Sequence, residues 1–581
     1  MIKIFKKLLV LLDKKQKWAM AGIVVLMFIG AILEALSVAV IVPVITVIVQ
    51  PNAITENKIV SFIYELSPVK NVQTFAIGIM IALILAFVVK NIFLYFEQKI
   101  LYKFIFTNQF RTSERMMKNY MLKNYEYFLN ADTSVIQRSI TSDVNNMYAL
   151  IQALLQLASE AIVFLSLTIV CLVVDPFMTI LIAALLAVTL FIIKVALKPV
   201  LQKAGKENQD YYSGLFKWIS QTVTGIKEVK IGGRENYFIG EYIKCGRGYV
   251  GAVQKYTLLN NVPRLIIEVV CVAGMVVYFI NIYLSGQDAT EIIGTLAAFA
   301  LALTRLMPSA NRINNFLNNI SYFEPFFMGV TDNLQDEISD RKSNVDEMER
   351  PKEKLPVEKK IELKNIRYKY PNTDVWVIDD AGMEIPVGSA VGIVGTTGAG
   401  KSTIVDVMLG LLKYDSGSVT ADGVDVLAKD NYRKWLKNIG YIPQTVFMLD
   451  ASIRKNVAFG IPDEEIDDNR LWEVLREAQL DEFVKSLPQG VETGIGERGI
   501  RLSGGQRQRI SIARALYEDP EVLILDEATS ALDGDTEQAI MDSINSLHGK
   551  KTLIIIAHRL QTIEKCDAVY RIENGKAVRE R

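Results

Sequence analysis

The sequence predicts a helical membrane domain followed by a soluble α/β domain. Three observations carry this. Six long apolar runs crowd into residues 1–330, residues 331–360 are charged and hold two prolines, and residues 361–581 alternate short apolar strands with helical stretches. At 581 residues the chain exceeds one ordinary domain, and the charged segment reads as the linker between two. Half of the residues are hydrophobic, and mean hydropathy is positive. Lys plus Arg equals Asp plus Glu at 64 each, so no excess charge points to nucleic acid or to an acidic partner. The four cysteines, Cys171, Cys245, Cys271 and Cys566, have neither metal-ligand nor CxxC spacing and read as reduced structural residues.

The membrane half comes first. A spanning helix needs about 20 mostly apolar residues. The segments 18–49, 73–96, 149–174, 177–199, 262–284 and 291–310 meet that requirement. The first is too long to be a cleaved signal peptide. The basic start, KIFKKLL then DKKQK, predicts an amphipathic lead-in at the membrane surface. Only Asp175 and Pro176 join the third and fourth spans, and SGQDAT, without Lys or Arg, joins the fifth and sixth. Stretches 97–140 and 200–256 are long and rich in Lys and Arg. The positive-inside rule places those stretches and both termini in the cytoplasm. The external loop at 50–70 includes IVSFIYEL, apolar enough to lie on the outer membrane surface or to form an ordinary ordered loop. The cytoplasmic stretches are poor in Gly and Pro and keep helical spacing, which predicts helices running well past the bilayer. Their tips would be NYEYFLNAD at 124–132 and GIKEVKIGGREN at 225–236.

The soluble half carries the chemistry. AVGIV leads into Gly395, Thr396, Thr397, Gly398, Ala399, Gly400, Lys401, Ser402 and Thr403, a GxxxxGK[ST] loop between a strand and a helix. Glycines let successive N–H groups converge on phosphate, and the helix adds its positive end. Lys401 would reach the β- and γ-phosphates of a nucleotide, and Ser402 would ligate Mg²⁺. The strand VLILDE ends in Asp526, placed to hold the metal, and Glu527, placed to orient or deprotonate the attacking water. His558 follows another apolar strand, TLIIIAH, as a candidate γ-phosphate sensor; His548 sits in a polar segment and reads as a surface residue. LSGGQ begins a helix with Ser503, Gly504, Gly505 and Gln506, a second anion-binding helix start. The economical reading is that each domain offers its phosphate loop to one ATP and its LSGGQ to another.

These motifs stand in one order: GTTGAGKST, the Gln444 of YIPQ, LSGGQ, LILDE, SALD at 530–533, and His558. With them, residues 361–581 resemble the nucleotide-binding domain of ATP-binding cassette (ABC) transporters. The resemblance implies Tyr370 of RYKYP stacking on adenine and Gln444 contacting the metal and the water. It further implies Asp533 at a dimer seam and two domains closing head-to-tail on two ATPs. Every catalytic position has its usual residue type, so a homodimer with two active sites is expected. Six spans before one such domain resemble the exporter-type half-transporter, as do GIGERG at 494–499 and DASIRKNVAFG at 450–460. The helix tips would be its coupling helices. No peptidase domain precedes the spans, which argues against a bacteriocin-processing exporter. Hydropathy excludes the soluble cassette proteins; a gated channel of the same architecture differs in flux per turnover.

Several ionisable residues sit inside the apolar runs: Glu34, Lys90, Glu160, Lys194, Arg264, Glu268 and Arg305. Such residues cost roughly 2.5–3.5 kcal/mol each at a helix centre and usually face protein or water. Lys194 lies near a span end and snorkels. One reading is structural, with Arg264 and Glu268 paired at i, i+4 and Glu34 paired with a basic neighbour. In the other, Lys90, Arg264 and Arg305 line a cavity and grip phosphate or pyrophosphate. Pro308 is expected to kink the sixth span beside Arg305. RLMPSANRI, NVPRLIIE at 261–268 and LQKAGKE at 201–207 are similar to bacterial lipid-linked-oligosaccharide flippases of the PglK type. That resemblance implies a glycan on polyprenyl pyrophosphate, moved to the outer leaflet of a bacterial inner membrane. The alternative is a multidrug or phospholipid exporter of the same architecture.

Overall fold

The computed structural model describes residues 2–49, 64, 71–174, 176–284, 289–335, 351, 353–527, 534–557 and 563–581. Within these, some side chains, including those at 38–49 and 289–305, fall outside the description. The chain forms two compact units: 1–123 with 131–345, and 124–130 with 346–581.

The first unit is helical. α1 (Ile2–Leu11) and α2 (Lys14–Val49) are followed by α3 (Val72–Met121), α6 (Val144–Val174), α7 (Pro176–Thr224), α9 (Glu235–Leu284) and α10 (Ala289–Asn333). Among the described residues five helices are long and apolar enough to cross a membrane; 291–310, inside α10, has side chains outside that set. α3 has 50 residues, or about 75 Å at 1.5 Å per residue, against a hydrocarbon core of about 30 Å. The helix is therefore longer than a single crossing requires. Ile77, Ile81, Ile84, Leu85, Val88, Val89 and Ile92 of α3 are exposed, as side chains facing lipid must be.

Short helices form the turns at the extended ends: α4 (Tyr125–Asn130), α5 (Thr133–Arg138) and α8 (Ile226–Ile231). A π-helical turn at Ser139–Asp143 links α5 to α6. There Arg138 is paired with buried Asp143 at 3.2 Å and also donates to Gln209 O and Ser213 Oγ on α7. α1 differs from the expected surface lead-in. Ile4, Leu8 and Leu11 are buried in a core shared with α3, α6 and α10, while Ile2, Phe5 and Val10 stay exposed. The i, i+4, i+7 stripe has found protein, and only the opposite face is left for lipid.

The second unit holds two sheets. An antiparallel sheet runs β2-β1-β4-β5, from β1 (Lys360–Tyr368), β2 (Ile378–Pro386), β4 (Ser416–Ala421) and β5 (Val424–Asp425). The larger sheet runs β10-β9-β3-β8-β7-β6. Its strands are β3 (Ala390–Val394), β6 (Ile439–Ile442), β7 (Val522–Asp526), β8 (Thr552–Ile556), β9 (Ala568–Glu573) and β10 (Lys576–Arg579). β6, β7, β8, β3 and β9 are mutually parallel, and β10 is antiparallel. Every residue of β3, β7 and β8 is buried, because helices cover both faces of a parallel sheet. Ile556 pairs with Ile393 on one side and Asp526 on the other. The phosphate loop and the LILDE carboxylates therefore emerge on either side of β8 at the carboxyl edge, where ligands of open α/β sheets bind.

Candidate functional site

β3 turns at Gly395 into α11 (Lys401–Met408). A Cβ on Gly395 would lie 2.6 Å from Ile572 O, a backbone atom of the neighbouring strand that cannot move aside. Gly398 (φ 82°) and Gly400 (φ 99°) are left-handed, and Gly400 caps α11. The loop so shaped leaves the first N–H groups of α11 without intrahelical partners. Lys401 is only 6% exposed, and its Nζ donates to Gly395 O at 3.1 Å and Thr396 O at 3.2 Å. Its ammonium is thereby held against the loop, the place from which it meets phosphate. Thr396 and Thr397 are exposed on the loop, and Ala399 N closes it onto Thr396 O at 3.1 Å. Buried Thr403 shares a 3.0 Å hydrogen bond with the hydroxyl of Tyr370, whose ring packs edge-on against Tyr368.

Opposite the loop, Asp526 is buried at the end of β7, and burial raises its carboxyl above the usual range. The Ser402 hydroxyl donates to it, as does Tyr441 Oη at 3.2 Å. This is a hard-oxygen set that suits Mg²⁺, which takes one or two carboxylates and keeps its waters. The glycine cradle, the buried lysine and this oxygen pair together fit a nucleoside triphosphate with its cation. Glu527 follows in the left-handed region (φ 49°), a conformation an L side chain adopts only under constraint. The constraint is visible: Glu527 N donates to Ile556 O at 3.1 Å, and Glu527 Oε2 accepts from Gln444 Nε2 at 2.6 Å. Two residues 83 apart in sequence thus meet side chain to side chain.

Two participants escaped the sequence reading. Tyr441 lies beside Asp526, and Asp406 on α11 is pushed up to about 6 by burial and then by the Asp526 charge. The available signal was Asp406 as the lone carboxylate in the apolar stretch IVDVMLGLL.

The LSGGQ segment starts the helix Gly504–Tyr517 with a complete capping box. Ser503 Oγ accepts from Gln506 N at 3.2 Å, and Gln506 Oε1 accepts from Ser503 N at 2.9 Å. Ser503 is exposed and Gly504 and Gly505 are half-buried, so a hydroxyl and a glycine backbone face outward at a helix start. Ser530, Asp533 and His558 lie outside the described residues.

In the helical unit, Lys90 on α3 is half-buried with its Nζ 4.6 Å from the Phe87 ring centroid, and Arg264 on α9 is exposed. Arg305 lies in α10, its side chain outside the described set; Pro308 sits inside the same helix, which continues to Asn333. Among the described residues no ion pair joins Arg264 to Glu268, both of which are exposed. Glu160, by contrast, is fully engaged: Arg312 Nε and Nη2 donate to its carboxylate at 2.8 and 2.9 Å, and Ser309 Oγ donates at 2.5 Å. Arg312 was not singled out from sequence; it lies seven residues beyond Arg305 on the same helix, about two turns along the same face.

Residues 20–307 match the ABC transporter transmembrane region, and 378–530 match the ABC transporter family. The chain is 31% identical over 460 residues to the ATP-dependent lipid A-core flippase of Bordetella avium, covering 78% of this chain and 75% of that protein. It is 32% identical over 316 residues to the sophorolipid transporter of Starmerella bombicola, covering 52% of this chain but only 24% of that longer protein. A solved bacterial Atm1-family ABC exporter with ATP bound shares the fold, with TM-score 0.76 at 20% identity over 97% of this chain and 95% of that one. The helical unit and the α/β unit are therefore two parts of one known architecture, and the chain belongs to the ABC transporter family as an exporter-type half-transporter.

Proposed function

We propose that the protein is an ATP-driven flippase that works as a homodimer. Its cargo is an oligosaccharide linked to polyprenyl pyrophosphate, moved from the cytoplasmic to the outer leaflet of a bacterial inner membrane. Residues 1–330 form the translocating part, 331–360 the tether, and 361–581 the ATPase.

The observation that carries the ATPase reading is the 2.6 Å bond between Gln444 and Glu527 at the mouth of the phosphate loop. When bound, ATP with Mg²⁺ supplies a phosphoanhydride open to attack by water. The N–H groups of residues 395–403 and Lys401 hold its phosphates. Ser402, Asp526 and Gln444 hold the cation. Glu527 orients water and takes its proton at a carboxylate oxygen, while Gln444 fixes the direction of that carboxylate. His558 adds a contact to the terminal phosphate, and Tyr370 and Asp533 frame the base and the seam. Ser503, Gly504, Gly505 and Gln506 serve the nucleotide of the second copy. The exposed face of α8, with Ile231 78% and Ile226 46% exposed, supports a second copy as the partner for that tip.

The substrate reading rests on Lys90, Arg264 and Arg305, doubled in a dimer, as cations suited to pyrophosphate. Relatives named as lipid A-core flippases support a phosphate-bearing lipid cargo and favour a second reading, an exporter of a phosphoglycolipid or phospholipid. The test is transport in proteoliposomes, following ATP-dependent movement of lipid-linked oligosaccharide beside a phospholipid and a cationic dye. Movement of the oligosaccharide lipid alone supports the proposal. Movement of the phospholipid or the dye without it sinks the proposed cargo.

A further inference from the structure

A groove of about 650 Å³ lies between the start of α2 and the second half of α3, away from the nucleotide site. Its lining mixes two chemistries. The cations Lys15, Lys103 and Arg111 share it with apolar Ile23, Leu26 and Phe104, and Lys103 and Phe104 are consecutive on α3. Gln16 Nε2 donates to Asn108 Oδ1 at 2.7 Å, which ties the two helices together in the groove wall, and Asn108 Nδ2 donates to Phe104 O at 2.7 Å. The cations are exposed, and among the described residues none of the three has an ion-pair partner. Exposed Trp18 and Tyr102, neighbours in sequence of the basic residues, mark this level as the membrane–water boundary. From Gln16 to Leu26 the groove runs about 15 Å along α2 toward the apolar run, at 1.5 Å per residue. Gly22 lines it, and a Cβ there would meet nothing within 4 Å, so the groove is open where a side chain would close it.

We infer that this groove binds an anionic phospholipid of the surrounding bilayer. The lipid's phosphate lies among Lys15, Lys103 and Arg111, and the upper part of an acyl chain lies along Gly22, Ile23 and Phe104. Charge selects the headgroup: three unpaired cations favour an anion and leave a zwitterion with no net attraction. The apolar wall selects a lipid over a free anion, since inorganic phosphate has nothing to place against it. The lipid belongs to the leaflet at the basic ends of the helices, the cytoplasmic one in the orientation proposed above. Nothing else in the inference rests on the identity of the transported cargo.

The test uses the full-length protein in detergent, titrated with phosphatidylglycerol or phosphatidylcholine and read by native mass spectrometry. Two variants are compared with the wild type: the triple Lys15→Gln, Lys103→Gln, Arg111→Gln, and Gly22→Leu. Each lost cation is expected to weaken phosphatidylglycerol binding roughly fivefold, so the triple variant weakens it about a hundredfold. The same variant leaves the weaker phosphatidylcholine adducts unchanged. Gly22→Leu fills the apolar part and reduces adducts of both lipids. Neither variant touches the nucleotide site, so basal ATP hydrolysis reports folding. If the triple variant fails to fold, Gly22→Leu decides alone. Unchanged phosphatidylglycerol binding in the folded variants overturns the inference. Complete displacement of the lipid by millimolar inorganic phosphate also overturns it, by assigning the three cations to a free anion.

Discussion

At the scale of single residues, Glu527 and Gly395 are under the tightest geometric control. Glu527 is held in a left-handed backbone and aimed by Gln444. Glu527→Gln keeps the shape and removes the proton acceptor, so nucleotide binding should persist while turnover falls by about 10²–10⁴-fold. Phosphate release with parallel binding of a fluorescent nucleotide checks this, and rapid hydrolysis by the variant would remove Glu527 from its role. Gly395→Ala should fail differently. Its Cβ collides with Ile572 O, so the loop itself deforms and nucleotide binding is lost along with turnover. The sequence made both residues legible, because phosphate chemistry demands fixed types at fixed spacing. Asp406 and Tyr441 were not legible. Their proximity to Asp526 comes from a strand order that no local pattern encodes.

At the scale of elements, the junction of β1 with the β4–β5 turn depends on one carboxylate. Burial alone would push Asp422 up, but the N–H groups of Glu358, Lys359 and Lys360 outweigh it and hold the carboxyl below its ordinary value. A depressed folded-state pKa gives stability that is fully present above the ordinary value of 3.8 and is lost as pH falls through the folded one. Because the side chain is exposed and screened, the contribution is about 0.5–1 kcal/mol. Apparent melting temperature scanned from neutral pH downward should therefore fall less steeply at the acid end in Asp422→Asn than in the wild type. The same scale explains α1. Its amphipathic period was legible, but whether the apolar stripe meets lipid or protein depends on helices remote in sequence. The structure resolved it in favour of α3, α6 and α10.

At the scale of the whole molecule, a carboxylate buried inside the helical unit is satisfied from a helix remote in sequence. Glu160 on α6 meets Arg312 and Ser309 on α10, a link across 152 residues. Arg312→Ala strands a buried carboxylate and should lower stability by roughly 2–3 kcal/mol, less than for full burial because Arg312 is half exposed. A lowered apparent melting temperature, recovered in part by Glu160→Gln on the same background, is the expected result; no change would show the pair to be incidental. Arg305→Ala should behave otherwise, keeping basal hydrolysis and stability while losing stimulation of the ATPase by a pyrophosphate-bearing lipid. Retained stimulation would place Arg305 among the structural cations.

The sequence by itself determined the division into a helical membrane half and a nucleotide-binding half, and the nucleotide motifs. Hydropathy over about 20 residues and phosphate-binding loops are local signals, written in contiguous stretches of chain. Only the tertiary structure decided that Gln444 meets Glu527 and that Arg312 neutralises Glu160. It likewise decided that Lys15, Lys103 and Arg111 gather at one groove. Those outcomes depend on which helix or strand lies beside which, and that is set by packing across the chain rather than by the pattern along it.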